Sequence, residues 1–187
     1  MNNEQYLVVV SGPSGAGKDT VVSELRRQHP EIEVSISATT RAMRPGEQEG
    51  VNYFYKTVPE FEASIKEGGI LEYTNYCGNY YGTPKSEVDR RIAAGITVVL
   101  VIETEGAENI KRIYPGSTTI FICPPSMEEL ENRLRGRGTE TEESIQNRLA
   151  RAAEEMQLAP KYDERVVNDT VESCAEQLYQ VIRAHQQ

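Results

Sequence analysis

The decapeptide SGPSGAGKDT, Ser11–Thr20, decides the reading of this chain. Gly12, Gly15 and Gly17 free the backbone to turn successive N–H groups toward one anion, and Lys18 stands where an ammonium reaches the outer phosphates of a nucleotide. Before the loop, Tyr6–Val10 is a short β-branched run. After it, Lys18–Arg27 carries Val21, Val22 and Leu25 on one helical face. Strand, glycine loop and helix in that order predict a phosphate-binding loop at a helix N-terminus, where the dipole also favours negative charge. Triphosphate binding is therefore assigned to Gly12, Pro13, Ser14, Gly15, Ala16, Gly17, Lys18, Asp19 and Thr20.

One position breaks the pattern. Ser or Thr ordinarily follows Gly-Lys and offers its hydroxyl to magnesium, whereas this chain has Asp19. Thr20 does not replace it, because one helical step turns its side chain about 100° away. Two readings stay open: a carboxylate that ligates magnesium directly or through water, which we favour, or one that complements the helix N-terminus for about 0.3–1 kcal/mol.

Working outward, Ile96–Ile102 and Thr118–Ile122 are further β-rich runs, followed by helical patterns over Gly106–Ile113 and Ser126–Arg135. Ser126 with Glu129 reads as a capping box. Ile145, Leu149, Ala152 and Met156 recur at helical spacing, so Glu142–Leu158 is expected to be a helix. Val166-Val167 is a short last strand, and Thr170 caps a helix carrying Val171, Ala175, Leu178 and Ile182. The alternation predicts an α/β fold, a parallel sheet with right-handed helical crossovers. From Ser37 to Pro84 the pattern gives way to isolated aromatics, glycine turns and one short helical piece, Pro59–Lys66. The expected organisation is a core of residues 1–36 and 84–187 with an inserted mixed α+β lobe at 37–83. The polar segment GRGTET, Gly136–Thr141, suits a mobile lid spanning about 136–147.

Composition narrows the function. The chain has 187 residues, 38% of them hydrophobic, enough for one domain with a smaller lobe. Its longest apolar run, Ile96–Ile102, falls far short of the roughly 20 residues a membrane helix needs, and no signal segment opens the chain. The expectation is a cytoplasmic protein without a membrane partner. Cys77, Cys123 and Cys174 lack metal-ligand spacing and read as thiols of a reducing compartment. His29 and His185 read as surface residues. A net charge of -9 argues against a nucleic-acid surface, which needs a basic face. Arginines nevertheless cluster at Arg41 and Arg44 and again from Arg133 to Arg151. Such local clusters on an acidic chain suit small phosphorylated ligands.

The inserted lobe carries SISATTRAMRPGEQEGVNYFY and ILEYTNYCGNYYGTP, and with these the sequence resembles guanylate kinases. The likeness extends from the phosphate loop to RGRGTETEESIQNRL and VND, nearly the whole chain. It implies an ATP-dependent kinase that converts GMP to GDP with magnesium. Two guanidinium forks, Arg41 and Arg44, beside the phenols Tyr53 and Tyr81 suit a monophosphate held in one pose. Guanine offers O6 and N7 as acceptors and N1–H and an amine as donors. The resemblance supplies matching partners: Glu72 to accept from N1 and the amine, Ser37 and Thr83 to donate toward O6 or N7. Adenine would leave that set mispaired. The resemblance also makes Arg137 and Arg148 the lid arginines, and with Lys18 and Arg41 these form the expected catalytic set. Asn168 matches a position that contacts the adenine of ATP. Tyr55, Tyr73, Tyr76 and Tyr80 are expected to pack in a hairpin core.

LVIETEG departs from the family pattern of an acid, one residue, Asp, a variable residue and Gln-Gly. Val101 replaces the first acid, Glu103 the Asp and Glu105 the Gln. Asp19 and Glu103 are thus the two candidate magnesium residues. Two rival readings are a guanylate-kinase-like binding module without catalysis and a ribose bisphosphate kinase-like enzyme, the latter because a loop ending in Lys-Asp resembles those kinases. The intact Lys18 and arginines weigh against the first, and the base-reading set against the second. The sequence assigns no oligomeric state.

Overall fold

The computed structural model describes residues 3–76, 78–136 and 141–186. In chain order these form β1 (Leu7–Ser11), α1 (Lys18–Gln28), β2 (Glu33–Val34), β3 (Ala38–Thr39), β4 (Phe54–Tyr55), α2 (Val58–Lys66), β5 (Ile70–Tyr76), β6 (Asn79–Pro84), α3 (Lys85–Ala93), β7 (Val98–Val101), α4 (Thr104–Ile113), β8 (Thr118–Cys123), α5 (Met127–Gly136), α6 (Glu142–Met156), β9 (Glu164–Val167) and α7 (Val171–His185). Cys77 and Arg137 lie outside the described residues.

Every residue of β1 is buried, because the strand lies mid-sheet with helices on both faces. Alternation divides it between two layers. Val8 and Val10 meet Val21, Val22 and Leu25 of α1 and Leu178 and Ile182 of α7. Leu7 and Val9 meet Val88 and Ile92 of α3 and Ala107 and Ile110 of α4. The strand order β2-β7-β1-β8-β9 is parallel throughout, as the β/α alternation requires. The α/β expectation therefore holds. A second sheet, ordered β4-β3-β6-β5, is mixed and built from the stretch where the helix-strand alternation fails.

Several local details differ from the sequence reading. Helix α4 begins at Thr104 with Glu103 as its N-cap residue, not at Gly106, because Gly106 is tolerated within the first turn where it packs against Glu72. At Ser126 only half of the capping box forms: the hydroxyl accepts from Glu129 N–H at 3.0 Å, but the Glu129 carboxylate accepts from Arg133 instead. The complete box lies at Thr57 and Glu60, opening α2. Thr170 caps α7 by accepting from Ser173 N–H, as expected.

Where the two sheets join, the buried Arg91 of α3 pairs with the buried Glu87 and, at 2.6 Å, with Glu33 of β2. The pairing fixes α3 to the edge of the core sheet directly after β6 leaves the second one.

Candidate active site

The phosphate loop runs between β1 and α1, and its glycines do what no other residue allows. Gly12 has φ 147°, and a Cβ there would come within 2.3 Å of the Ile122 carbonyl oxygen. Gly17 has φ 88°, and a Cβ would stand 2.6 Å from Asn168 Nδ2. The loop thus runs hard against β8 and against the residue after β9. Lys18 is 9% exposed, and its Nζ donates to the Gly12 carbonyl at 2.6 Å. The ammonium is held over the loop it follows. Asn168, also buried, donates from Nδ2 to the Ala16 carbonyl at 2.7 Å and accepts at its own carbonyl from Arg133 at 3.0 Å. Its amide braces the loop from beneath.

Ser14 meets α6. Arg148 Nη2 donates to its hydroxyl at 2.7 Å, and a cleft of about 220 Å³ is lined by Ser14, Lys18, Asp19, Glu103 and Arg148 together with Ile102. Both candidate metal carboxylates therefore open on the same cleft as the lysine. Among the described residues no three His, Cys, Asp or Glu side chains converge as a metal cage. Two carboxylates beside a phosphate loop nevertheless fit magnesium, which is usually held by one or two protein carboxylates plus substrate phosphates.

A second cavity of about 240 Å³ adjoins the first, and Asp19, Val101 and Ile102 line both. Ser37 and Thr83 complete its far wall. The Thr83 hydroxyl donates to Glu72 Oε1 at 2.6 Å, and the other carboxylate oxygen lies against Gly106, where a Cβ would stand 3.2 Å away. Burial pushes the Glu72 carboxyl up from its ordinary range; the Thr83 hydroxyl and amide oppose the shift, and Glu103 adds to it. A half-buried carboxylate whose partners here both come from Thr83 has acceptor capacity left for further N–H donors.

The mixed sheet gathers the next group. Arg41 lies over the Tyr53 ring, 5.4 Å from its centroid, and Tyr53 contacts Tyr81 edge-on at 6.0 Å. Glu47, to which the sequence patterns assign no role, organises this cluster. Its carboxylate accepts from Arg41 Nη2 at 2.7 Å and Nη1 at 3.1 Å, from Arg44 N–H at 2.7 Å and from the Tyr55 hydroxyl at 2.7 Å. Those donors, Arg41 foremost, hold the Glu47 carboxyl down at about 2, and Glu47 in turn raises the Arg41 guanidinium further. A carboxylate six residues after one arginine and three after another was the available signal. Tyr55 belongs here and not to the hairpin packing expected for it, because Glu47 captures its hydroxyl. Tyr80 does pack there, stacked on Phe61 at 5.2 Å, whereas Tyr73, 50% exposed, meets Tyr80 edge-on at 5.9 Å from the surface and is not a core residue. The Arg44 side chain is exposed.

The geometry is thus a glycine loop at a helix N-terminus and an adjoining cavity that share the wall at Asp19, Val101 and Ile102, with an arginine–tyrosine cluster at the mixed sheet. The guanylate kinase family profile matches residues 4–185. The chain belongs to the guanylate kinase family. It is a kinase that phosphorylates GMP to GDP at the expense of ATP. It is 50% identical over 185 residues to the guanylate kinase of Streptococcus agalactiae serotype III (strain NEM316), covering 98% of this chain and 88% of that one. To the guanylate kinase of Synechococcus sp. (strain CC9311) it is 49% identical over 170 residues, 91% of this chain and 90% of the relative. The crystal structure of guanylate kinase from Anaplasma phagocytophilum superposes with a TM-score of 0.73 at 34% identity, over 96% of this chain and 85% of that one. A shikimate kinase from Bacteroides thetaiotaomicron, at 14% identity and a TM-score of 0.51, shares the fold alone.

Proposed function

We propose that the transfer takes place in the joined cleft, with ATP on the phosphate loop and GMP against the mixed sheet. The shared wall at Asp19, Val101 and Ile102 carries this reading, because it lets donor and acceptor phosphates meet without crossing protein. Loop residues Gly12 to Thr20 bind the triphosphate, and Lys18 turns from the Gly12 carbonyl to its outer oxygens. Arg41, Arg44, Tyr53 and Tyr81 take the GMP phosphate. Glu72 accepts from guanine N1–H and the amine, while Ser37 and Thr83 donate to the opposite edge. Residues 37–83 act as the GMP lobe and about 136–147 as the lid.

A GMP phosphate oxygen forms the new bond to the γ-phosphorus of ATP as the bond from that phosphorus to the β–γ bridging oxygen breaks, leaving ADP. The attacking oxygen is already anionic, so no side chain need remove a proton. Lys18, Arg41, Arg148 and Arg137 offset the charge spread over the moving group, which is most of what a protein contributes to such a step. Arg137 falls outside the described residues, and its role rests on the family pattern alone. Asp19 and Glu103 would hold magnesium, which when bound would supply positive charge against the phosphates. Asn168 supports the loop that the adenine side of ATP approaches. No helix among the described residues is long and apolar enough to cross a membrane. A cytoplasmic setting accords with nucleotide substrates.

The test is ADP production from ATP and magnesium with GMP, AMP or ribose 1,5-bisphosphate as separate acceptors. Turnover confined to GMP is the expected result. Turnover of the sugar would favour the ribose bisphosphate kinase reading, and silence with all three the binding module.

A further inference from the structure

One buried carboxylate beside the phosphate loop has no part in the roles above. Glu155 of α6 is 5% exposed. Its Oε2 accepts from the Ser14 backbone N–H at 3.3 Å and its Oε1 from Arg151 Nε at 2.9 Å. A carboxylate withdrawn from water is retained only with such donors, and here one of them belongs to the loop itself.

Ser14 is also the residue whose hydroxyl accepts from Arg148. Positions 148 and 155 stand about two turns apart on one helix face, so α6 holds a single loop residue through both its backbone and its side chain. The next residue rests on the neighbouring helix: a Cβ on Gly15 would come 2.9 Å from Leu130 Cδ1 and 3.0 Å from Leu134 Cδ2 of α5. Ser14 and Gly15 are therefore seated on the two helices that flank the lid segment. The chain of contacts continues outward, since Arg151 Nη2 lies 3.8 Å from Glu103 Oε2.

We propose that Glu155 is a positioning residue for ATP, fixing the Ser14 amide to the helix that carries Arg148 so that triphosphate and lid arginine keep one register. This rests on the reading of the loop as the ATP site. Glu155→Gln preserves shape but turns one oxygen into a donor, so the side chain can no longer accept from both Ser14 and Arg151. Equilibrium titration with ATP and magnesium should show affinity weakened about tenfold, the order expected for one charge-assisted hydrogen bond. Titration with GMP should be unchanged and the thermal midpoint nearly so. If the unmodified protein failed to bind ATP, the loop reading itself would be wrong. If it bound ATP and Glu155→Gln matched it within about twofold, the proposal would be overturned. Equal losses for ATP and GMP with a lower midpoint would also overturn it, reducing Glu155 to a structural role. Should Glu155→Gln not fold, Arg151→Gln loosens the same carboxylate from the solvent side: about threefold weaker ATP binding supports the proposal and unchanged binding overturns it.

Discussion

Glu72 shows what the site asks of one residue. Its carboxyl is pushed above the ordinary value of 4.5, chiefly by burial. A carboxyl with a raised folded pKa contributes stability that is complete below its unfolded value and lost as pH rises through the folded one. At neutral pH the half-buried charge is therefore a liability, one that guanine's two N–H donors would relieve in the proposed site. Glu72→Gln is expected to raise the thermal midpoint at pH 7.5, by about 2–4 °C for each kcal/mol recovered, with the difference vanishing below about pH 4.5. Differential scanning calorimetry across that range checks it. The same variant should raise the KM for GMP by about 10–100-fold, the loss expected for a charged hydrogen-bonding partner, and reduce discrimination against AMP. Unchanged GMP/AMP selectivity would remove Glu72 from base reading. In the unmodified enzyme, GMP binding should weaken as pH falls through the folded pKa, because a protonated carboxyl no longer accepts from both donors.

Among the elements, α7 has a stabilising duty separable from chemistry. Leu178 and Ile182 cover the face of β1 that α1 shares. Its start depends on the Thr170 hydroxyl, which accepts from Ser173 N–H at 3.3 Å. Thr170→Ala should lower stability by about 1 kcal/mol and the midpoint by about 2–4 °C while leaving kcat and both KM values unchanged. A change in KM for ATP would show that α7 also sets the loop. Caps of this kind were legible because the signal is local: a Thr at one position and an amide three residues on. Ser126 shows the limit, since whether Glu129 turns back to the cap or forward to Arg133 depends on which partner the folded helix presents.

Across the whole molecule, two groups of side chains stand on separate elements. Asp19 and Glu103 lie on the phosphate-loop side, whereas Arg41, Glu47, Tyr53 and Tyr81 are held by the mixed sheet. Chelating magnesium should therefore weaken ATP binding while leaving GMP binding within about twofold; calorimetric titration of each nucleotide with and without chelator tests this. Equal ATP affinity under both conditions would show that Asp19 serves the helix N-terminus and not a metal.

The sequence by itself determined the α/β core, the strand, glycine loop and helix that open it and the Thr170 cap, because periodicity, glycine spacing and hydroxyl–amide capping act over a few residues. Only the tertiary structure decided the rest. Glu47 became the centre of the arginine cluster, Asn168 a brace under the loop, Gly106 the gap that admits Glu72, and Glu155 the acceptor of a loop amide. Each of these depends on atoms brought together from separate elements or across a turn, where the position of a carboxylate or amide is set by packing and by the donors that remain unsatisfied around it.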